Sequence, residues 1–266
     1  MKKNILITGA GSGIGRLAAI ELAKRGHSVY ATTHTKQQSD SLNNISKKMG
    51  VTFKAFKLDV LDKEDRQLVH DIKVDVLINN AAIAETGSIA EIPVERIKRI
   101  FETNIFGTIE LTQEVLKGMV NRKNGRVIFV SSLSGRVPMP FFAPYCASKS
   151  AIEALAQSMR KELKWLKDDG INIEVGIIEP GAYDTGFNEE MMKSKYEWMD
   201  EHSYFKNYIK TIRVEELNYF RVIEKDSKKS IIKKYIKAVE DKRCKMRYIS
   251  PFSQGLIIQL ERVIGK

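Results

Sequence analysis

The chain has 266 residues, 43% of them apolar, which is enough for a full hydrophobic core without disulfides or metal ions. Its two cysteines, Cys146 and Cys244, have no CxxC spacing and no neighbouring histidine cluster, which argues against a disulfide framework and a metal site. No apolar run approaches the ~20 residues of a transmembrane helix, and the N-terminal run is too short for a signal peptide, so we expect a cytoplasmic protein without an integral membrane segment.

The formal net charge of +11 is compatible with three kinds of anionic partner: nucleic acid, a membrane surface or a small anionic ligand. Basic residues are densest at 228–245, where they alternate with apolar residues at helical spacing. This spacing favours the solvated face of an amphipathic helix, so we expect no nucleic-acid partner. A basic protein that binds nucleic acid or a membrane surface is the alternative.

Strand-like and helix-like segments alternate from the first residues onward. Most strand candidates are continuous apolar runs, which is typical of parallel strands covered on both faces. The alternation predicts an α/β fold, a single-domain Rossmann-type doubly wound parallel sheet with helices on both faces, over residues 1–266. The predicted strands are 4–7, 28–32, 53–58, 74–78, 127–130, 172–178 and a weak strand at 246–249, and the main predicted helices are 14–25, 95–120 and 147–166.

The alternation stops at about residue 182, and the segment 182–226 is rich in Met, Tyr, Phe and charged residues. Long insertions after the carboxyl end of a strand cover ligands in such folds, so we expect this segment to cover the substrate. With residues 138–144 it predicts a roomy apolar pocket, and the alternative is that the same side chains cover the core or a subunit interface. The side chains concerned are Met139, Phe141, Phe142, Tyr183, Phe187, Met191, Met192, Tyr196 and Trp198.

The first predicted strand runs into a glycine-rich turn, Thr8-Gly9-Ala10-Gly11-Ser12-Gly13-Ile14-Gly15. Glycines let the chain turn sharply and approach a pyrophosphate, and the following helix presents free N–H groups and the positive end of its dipole. The spacing is GxxxGxG rather than GxGxxG, and its place between a strand and an amphipathic helix favours dinucleotide binding. We expect the cofactor to contact Thr8, Gly9, Ser12, Gly13, Ile14 and Gly15.

The end of the second predicted strand bears on the choice of cofactor. In many dinucleotide-binding folds an acid about 20 residues beyond the turn binds the adenosine ribose 2′-OH. No acid occurs between Glu21 and Asp40; Thr33 occupies that place, with His34 and Lys36 beside it. Hydroxyl, imidazole and ammonium groups can hold a 2′-phosphate that an acid would repel, which favours NADP(H) over NAD(H). The alternative is that this polar loop does not affect the choice between NADP(H) and NAD(H).

A serine, a tyrosine and a lysine form the candidate catalytic group. Ser132 follows the predicted strand 127–130, Tyr145 comes thirteen residues later, and Lys149 lies four further on. This last spacing puts the phenol and the ammonium on one face of a helix. A free tyrosine has a pKa of ~10, and a nearby cation favours its phenolate, which can exchange a proton with a carbinol oxygen. A surface helix pair is the alternative, and the position after Ser132 favours catalysis.

Together these motifs resemble the short-chain dehydrogenase/reductase family from residue 4 to about residue 250. Ala82 stands where many relatives have Gly, and both residues are small. The matching segments are the turn Thr8–Gly15, Leu58-Asp59-Val60, Asn79-Asn80-Ala81-Ala82, Asn104, Ser132, Tyr145-Cys146-Ala147-Ser148-Lys149 and Pro180-Gly181-Ala182-Tyr183-Asp184-Thr185.

The resemblance implies a role for each of these residues. Tyr145 would be the general acid/base, Lys149 would lower its pKa and bind the nicotinamide ribose, and Ser132 would hydrogen-bond the substrate oxygen. Asn104 would position a water for proton relay, and Asp59 would contact adenine. The remaining implied cofactor contacts are His34, Val60, Asn79, Ala81, Pro180, Gly181 and Thr185.

The resemblance also implies an activity and an assembly. The activity is interconversion of a small hydrophobic ketone or aldehyde with its alcohol, because the Glu-Pro-Gly turn with Tyr-Cys-Ala-Ser-Lys is similar to members that act on steroids or retinoids. The assembly is a homodimer or homotetramer built on the helices 95–120 and 147–166. A nucleotide-binding sensor or scaffold without catalysis is the alternative, and the complete set of Asn104, Ser132, Tyr145 and Lys149 argues against it.

Overall fold

The computed structural model describes residues 2–51 and 53–264, and a seven-stranded parallel sheet lies at its centre. The strands are β1 (Asn4–Ile7), β2 (Ser28–Thr33), β3 (Phe53–Lys57), β4 (Val76–Asn79), β5 (Asn124–Val130), β6 (Asn172–Pro180) and β7 (Arg247–Ser250). They lie in the order β3-β2-β1-β4-β5-β6-β7, and each neighbouring pair is parallel.

Helices connect the strands and cover both faces of the sheet. They are α1 (Gly13–Lys24), α2 (Lys36–Met49), α3 (Lys63–Gln67), α4 (Val94–Phe101), α5 (Thr108–Asn121), α6 (Ala143–Glu162), α7 (Phe187–Lys195), α8 (Ile209–Ile223), α9 (Lys229–Glu240) and α10 (Phe252–Ile264). Successive side chains of a strand point to opposite faces. In β1, Ile5 and Ile7 accordingly pack with α1, α2 and α9, whereas Leu6 packs with α5 and α6. The predicted α/β fold with a doubly wound parallel sheet is confirmed.

The helix predicted over 95–120 is not one regular α-helix. Residues 102–107 form a π-helical turn between α4 and α5. Gly107 lies against the main chain of the loop after β3. A Cβ at Gly107 would be 2.8 Å from the carbonyl oxygen of Val60. Short π-helical turns often occur at functional sites, and this one contains Asn104.

The second long helix predicted from the sequence has different bounds in the structure. The helix predicted over 147–166 runs from Ala143 to Glu162, so Tyr145 and Lys149 both lie in its first turns. Pro144 is accommodated there because the N–H groups of a first helical turn have no intrahelical partner. The predicted covering segment contains α7 and α8, and the apolar residues near the end of the sequence belong to α10. None of the helices within residues 2–51 and 53–264 is long and apolar enough to cross a membrane.

The strand order creates a crevice between β1 and β4. From β1 the chain proceeds outward to β2 and β3, and from β4 it proceeds in the other direction to β5, β6 and β7. Ligands of open parallel sheets bind at the carboxyl ends of the strands beside such a reversal. A cavity of about 1090 Å³ lies there.

Candidate active site

The glycine turn forms one end of the cavity. Gly9 and Gly13 have φ values of +64° and +55°, which side chains rarely adopt. A Cβ at Gly9 would lie 2.7 Å from the Cα of Ala81, and a Cβ at Gly15 would overlap the side-chain amide of Asn80. With the first turn of α1 also lining the cavity, this cradle fits the pyrophosphate of a dinucleotide.

Hydrogen bonds attach the glycine turn to the end of β4. The Thr8 hydroxyl oxygen accepts from the N–H groups of Asn80 and Ala81, at 2.9 Å each. The Asn80 amide nitrogen donates to the carbonyl oxygens of Thr8 (2.9 Å) and Gly9 (3.1 Å). Thr8 is buried and does not itself line the cavity, so it supports the turn from behind.

Tyr235 of α9 completes this attachment. Its hydroxyl donates to Oδ1 of Asn80 at 2.7 Å, and burial raises the pKa of Tyr235 well above its usual range. The sequence analysis did not identify Asn80 or Tyr235 as functional residues. The Asn-Asn-Ala-Ala motif was a usable signal for Asn80, but Tyr235 looks like any apolar residue of a basic amphipathic helix.

The loops after β2 and β3 form the nucleoside end of the cavity. His34 lines it, and the ring Nδ1 lies 3.5 Å from a carboxylate oxygen of Asp59. Asp59 and Val60 line the cavity as the sequence predicted, and Gln38, which it did not predict, lines it as well. Gln38 forms a reciprocal capping box with the residue before α2, and this pattern is recognisable in the sequence.

Thr33 is placed differently from the prediction. Its side chain is 1% exposed, its hydroxyl donates to the carbonyl oxygen of Thr35 at 2.8 Å, and it does not line the cavity. A threonine hydroxyl readily bonds the main chain two residues on, which turns it away from the ligand. Asn79 also lies below the cavity, where its amide nitrogen donates to Thr112 at 2.8 Å. Its buried Oδ1 has no hydrogen-bond partner in the part of the chain that the structure describes.

Ser132, Tyr145 and Lys149 lie together in the middle of the cavity. Ser132 follows β5 and caps a short turn, accepting from the N–H of Ser134 at 3.2 Å. Lys149 is 4% exposed, and its ammonium donates to the carbonyl oxygen of Val130 at 3.0 Å and lies 5.8 Å from the centroid of the Tyr145 ring. The carboxyl end of β5 and the first turns of α6 therefore bring a hydroxyl, a phenol and a cation to one place.

Burial controls the protonation of this group. It raises the pKa of Tyr145 to about 12, and the neighbouring Ser132 hydroxyl lowers it by a smaller amount. Burial also lowers the pKa of Lys149 to about 8. The sequence predicted a lowered pKa for Tyr145; burial raises it instead, because loss of hydration disfavours the phenolate by more than the Ser132 hydroxyl favours it. At neutral pH the phenol carries its proton and is therefore a proton donor.

Asn104 lies behind this group, is 2% exposed and does not line the cavity. Its Oδ1 accepts from the N–H of Ile83 at 2.9 Å, and its amide nitrogen donates to the Ile83 carbonyl (3.0 Å) and to the Ser148 hydroxyl (3.1 Å). Asn104 thus joins the loop after β4 to the helix that carries Lys149. Its predicted role in a water relay stays a prediction.

The turn after β6 closes the cavity opposite the glycines. Pro180, Gly181 and Thr185 line it. A Cβ at Gly13 would lie 3.7 Å from the Cβ of Thr185, so these two segments face each other at short distance. The residues predicted to contact the nicotinamide end therefore lie beside the predicted pyrophosphate cradle.

Apolar side chains form the other end of the cavity. Six of the nine predicted residues line it: Met139, Phe141, Phe142, Tyr183, Phe187 and Met191. Helices α8 and α10 add Ile212, Tyr219, Phe220, Ile223, Ile257 and Ile258. The other three side chains do not line the cavity, as the alternative interpretation expected. Met192 packs in the core, the Tyr196 hydroxyl donates to Glu216 (3.1 Å), and the Trp198 indole N–H donates to the carbonyl oxygen of Thr86 (3.3 Å).

A buried ion pair connects the two helices of the covering segment. Lys195 at the end of α7 has no exposed surface and pairs with Glu216 of α8. Its ammonium also lies 4.0 Å from the centroid of the Phe142 ring. Phe142 precedes α6 and lines the cavity. The Lys195 ammonium therefore connects the covering segment 182–226 to the part of the cavity lining that is next to Tyr145.

A glycine cradle at a sheet reversal, joined to a buried serine, tyrosine and lysine, defines an oxidoreductase site on a Rossmann-type fold. A model of the short chain dehydrogenase family matches residues 3–196, and the chain belongs to that family. Its members use NAD(H) or NADP(H).

Known proteins resemble this chain at moderate identity. An uncharacterized oxidoreductase of Bacillus subtilis, YusZ, is 35% identical over 69% of the chain and 66% of its own length. Human retinol dehydrogenase 8 is 32% identical over 71% of the chain and 62% of its own length. The chain thus spans just under two thirds of these relatives. A short-chain dehydrogenase structure from Streptomyces avermitilis has a TM-score of 0.79 at 25% identity, covering 100% of the chain and 95% of that protein.

Proposed function

We propose that the protein is an NADP(H)-dependent oxidoreductase that interconverts a hydrophobic ketone or aldehyde with its alcohol. One observation carries this proposal: Ser132, Tyr145 and Lys149 line the same cavity as the glycine turn and the apolar side chains, and the centroid of the Tyr145 ring lies 5.9 Å from that of the Phe187 ring. A substrate carbonyl in the apolar half would stand beside both a proton donor and the dinucleotide site.

The residues present fit a nicotinamide dinucleotide, which when bound would supply or accept a hydride at the substrate carbon. The turn from Gly9 to Gly15 would hold the pyrophosphate, and Asp59 and Val60 would contact the adenosine. Lys149 would bind the nicotinamide ribose. Thr185, with Pro180 and Gly181, would contact the carboxamide side, and Ala81, which lines the cavity next to Gly9, would lie along the nucleotide.

In the reducing direction the chain's own residues handle the proton. The Ser132 hydroxyl hydrogen-bonds the carbonyl oxygen, and Tyr145 gives its phenolic proton to that oxygen as the carbon gains the hydride. The product is the alcohol, with an oxidised nucleotide and a phenolate at Tyr145 that the Lys149 ammonium stabilises. Because its pKa is about 12, Tyr145 starts this step protonated at neutral pH.

The loop after β2 supports a preference for NADP(H). No carboxylate lies between residues 33 and 38, and His34, 74% exposed at the side chain, lines the nucleoside end. One carboxylate from another loop, that of Asp59 after β3, lies 3.5 Å from Nδ1 of His34. An imidazole without a competing acid on its own loop suits a 2′-phosphate.

The charges of the apolar half support an uncharged lipophilic substrate. Glu190, Glu215 and Glu261 line it, and among the described lining residues no lysine or arginine offsets them at that end. Glu216 lines it too, but its charge is paired with Lys195. Carboxylates around an apolar pocket disfavour a substrate that carries its own acid group. We assign the segment 182–226, through α7 and α8, the role of covering this substrate.

The test is a panel of carbonyl compounds assayed with NADPH and NADH in parallel, on the parent protein and on Tyr145→Phe. Loss of the phenolic proton should lower kcat by roughly 10²- to 10⁴-fold and leave NADPH affinity, measured by fluorescence, nearly unchanged. Tyr219→Phe is the matched control, because Tyr219 lines the same cavity at its mouth. Its turnover should equal that of the parent.

Retained turnover in Tyr145→Phe would contradict the mechanism. NADPH binding by the parent protein with no turnover of any compound would favour the alternative of a nucleotide-binding sensor or scaffold. A higher kcat/KM with NADH than with NADPH would overturn the cofactor preference alone.

A further inference from the structure

Helix α10 packs against the protein with its polar side and presents its apolar side to solvent. Gln254 accepts from the N–H of Ala182 (3.0 Å) and donates to the carbonyl of Ile223 (2.7 Å), and Gln259 accepts from Arg136 (3.2 Å). At 100° per residue the large exposed side chains fall within an arc of about 140°. They are Phe252, Leu256, Ile257, Leu260, Val263 and Ile264, each at least 50% exposed.

Helix α8 continues this apolar surface. Val214, Leu217 and Val222 are 57%, 48% and 78% exposed. Exposed Lys210 and Arg221 lie on the same side of the helix by the same geometry. The hydrogen bond from Gln254 to Ile223 ties the end of α8 to the start of α10. We call the exposed side chains of α8 and α10 the outer face.

Both helices also contribute side chains to the cavity. Tyr219 and Ile223 of α8 and Ile257 and Ile258 of α10 line its apolar half. The outer face therefore adjoins the part of the cavity that would hold a hydrophobic substrate. An apolar surface of this extent on a water-facing helix marks an interaction site rather than ordinary surface.

We infer that the outer face binds the surface of an anionic lipid bilayer, with α10 lying in the plane of the interface. A helix with one mainly apolar side, which in α10 only Ser253 interrupts, is the kind of element that inserts among headgroups and upper acyl chains. Lys210 and Arg221 then meet lipid phosphates, and the net charge of +11 attracts the protein to the bilayer. A second copy fits less well, because it would bring the same cations and the same net charge to the contact.

Binding to lipid is independent of the proposed function, but delivery of substrate from the bilayer rests on it. A lipophilic carbonyl compound dissolved in the membrane would then lie beside the apolar half of the cavity, which α8 and α10 line. The surface and the catalytic group can therefore be tested separately.

The experiment is co-sedimentation of the full chain with vesicles of equal parts phosphatidylcholine and phosphatidylglycerol, and with phosphatidylcholine alone. The parent protein should bind the anionic vesicles more tightly, and added salt should weaken binding. Leu260→Glu should lower the partition coefficient about tenfold or more, since it replaces an inserted side chain by a charge. Leu260 is 52% exposed and does not line the cavity, so NADPH binding should persist.

Leu68→Glu is the matched control, because Leu68 is 46% exposed on the turn after α3. It should bind vesicles like the parent protein, and so should Tyr145→Phe, which separates the surface from catalysis. The inference is overturned if the parent protein does not bind anionic vesicles, or if Leu260→Glu binds as well as Leu68→Glu. It is also overturned if Leu260→Glu only converts a dimer to a monomer in sedimentation velocity, without any lipid binding by the parent, since the occupant is then a second copy.

Discussion

Replacing Lys149 by methionine should stabilise the protein at neutral pH while removing a group of the site. Lys149 is 4% exposed, and burial lowers its pKa from 10.5 to about 8. Each pKa unit corresponds to about 1.4 kcal/mol, so holding the charged lysine in the fold costs about 3 kcal/mol at pH 7. Methionine of similar length removes that cost.

The substitution also removes a hydrogen bond. The Val130 carbonyl oxygen, which accepts from Lys149 at 3.0 Å, loses this partner at a cost of about 1–3 kcal/mol. The free energy of unfolding should therefore rise by about 1 kcal/mol in Lys149→Met at pH 7.

The sign of this difference should change with pH. Between pH 8 and 10.5 the unfolded chain keeps the lysine proton and the folded chain has released it, so the stability of the parent protein rises with pH. Lys149→Met lacks this contribution. By pH 10 the variant should be less stable than the parent by roughly 1–2 kcal/mol.

Urea unfolding of both proteins at pH 7, 8, 9 and 10 measures this difference directly. Lys161→Met, an exposed site on the same helix, is the control and should show a nearly constant difference from the parent protein. A variant less stable than the parent at pH 7, or a gap between Lys149→Met and the parent that does not change with pH, would refute the reasoning.

Three further predictions concern the nucleotide half of the cavity. Tyr235→Phe should leave Oδ1 of Asn80 without its 2.7 Å donor. The KM for NADPH should then rise severalfold while kcat stays unchanged. An unchanged KM in steady-state kinetics would contradict the positioning role of Tyr235. His34→Arg should raise, and His34→Asp lower, the ratio of kcat/KM for NADPH to that for NADH by about tenfold each, and equal ratios in all three proteins would exclude a role for this side chain. Gly15→Ala should abolish NADPH binding in calorimetric titration, because its Cβ would overlap the Asn80 amide, and retained affinity would show that the turn can shift.

The parallel arrangement of the strands and the convergence of Ser132, Tyr145 and Lys149 were predictable from sequence. Continuous apolar runs mark strands covered on both faces, and parallel strands all end at one edge of the sheet. A serine just after β5 and a tyrosine and lysine four residues apart on α6 must then meet at that edge. These inferences need only local periodicity and one property of parallel sheets.

Other features depend on contacts between distant parts of the chain. Tyr235 supports the glycine turn from a helix 155 residues beyond Asn80, and no local pattern marks it. Thr33 lies at the predicted place in the sequence, but its own loop takes its hydroxyl away from the cavity. The pKa of Tyr145 is raised, although the sequence predicted that it would be lowered, because the desolvation of this side chain depends on everything packed around it.

Helix α10 shows most clearly which features follow from the sequence and which follow only from the tertiary structure. Apolar residues are frequent in its sequence and recur with the period of a helix. Periodicity does not say which side of the helix meets the protein. Hydrogen bonds from Gln254 and Gln259 to partners far away in the sequence decide this, and they turn the apolar side outward. The sequence by itself determined the fold and the residue types at the candidate site, whereas only the tertiary structure decided how these residues are supported, protonated and exposed, since burial and orientation arise from long-range packing.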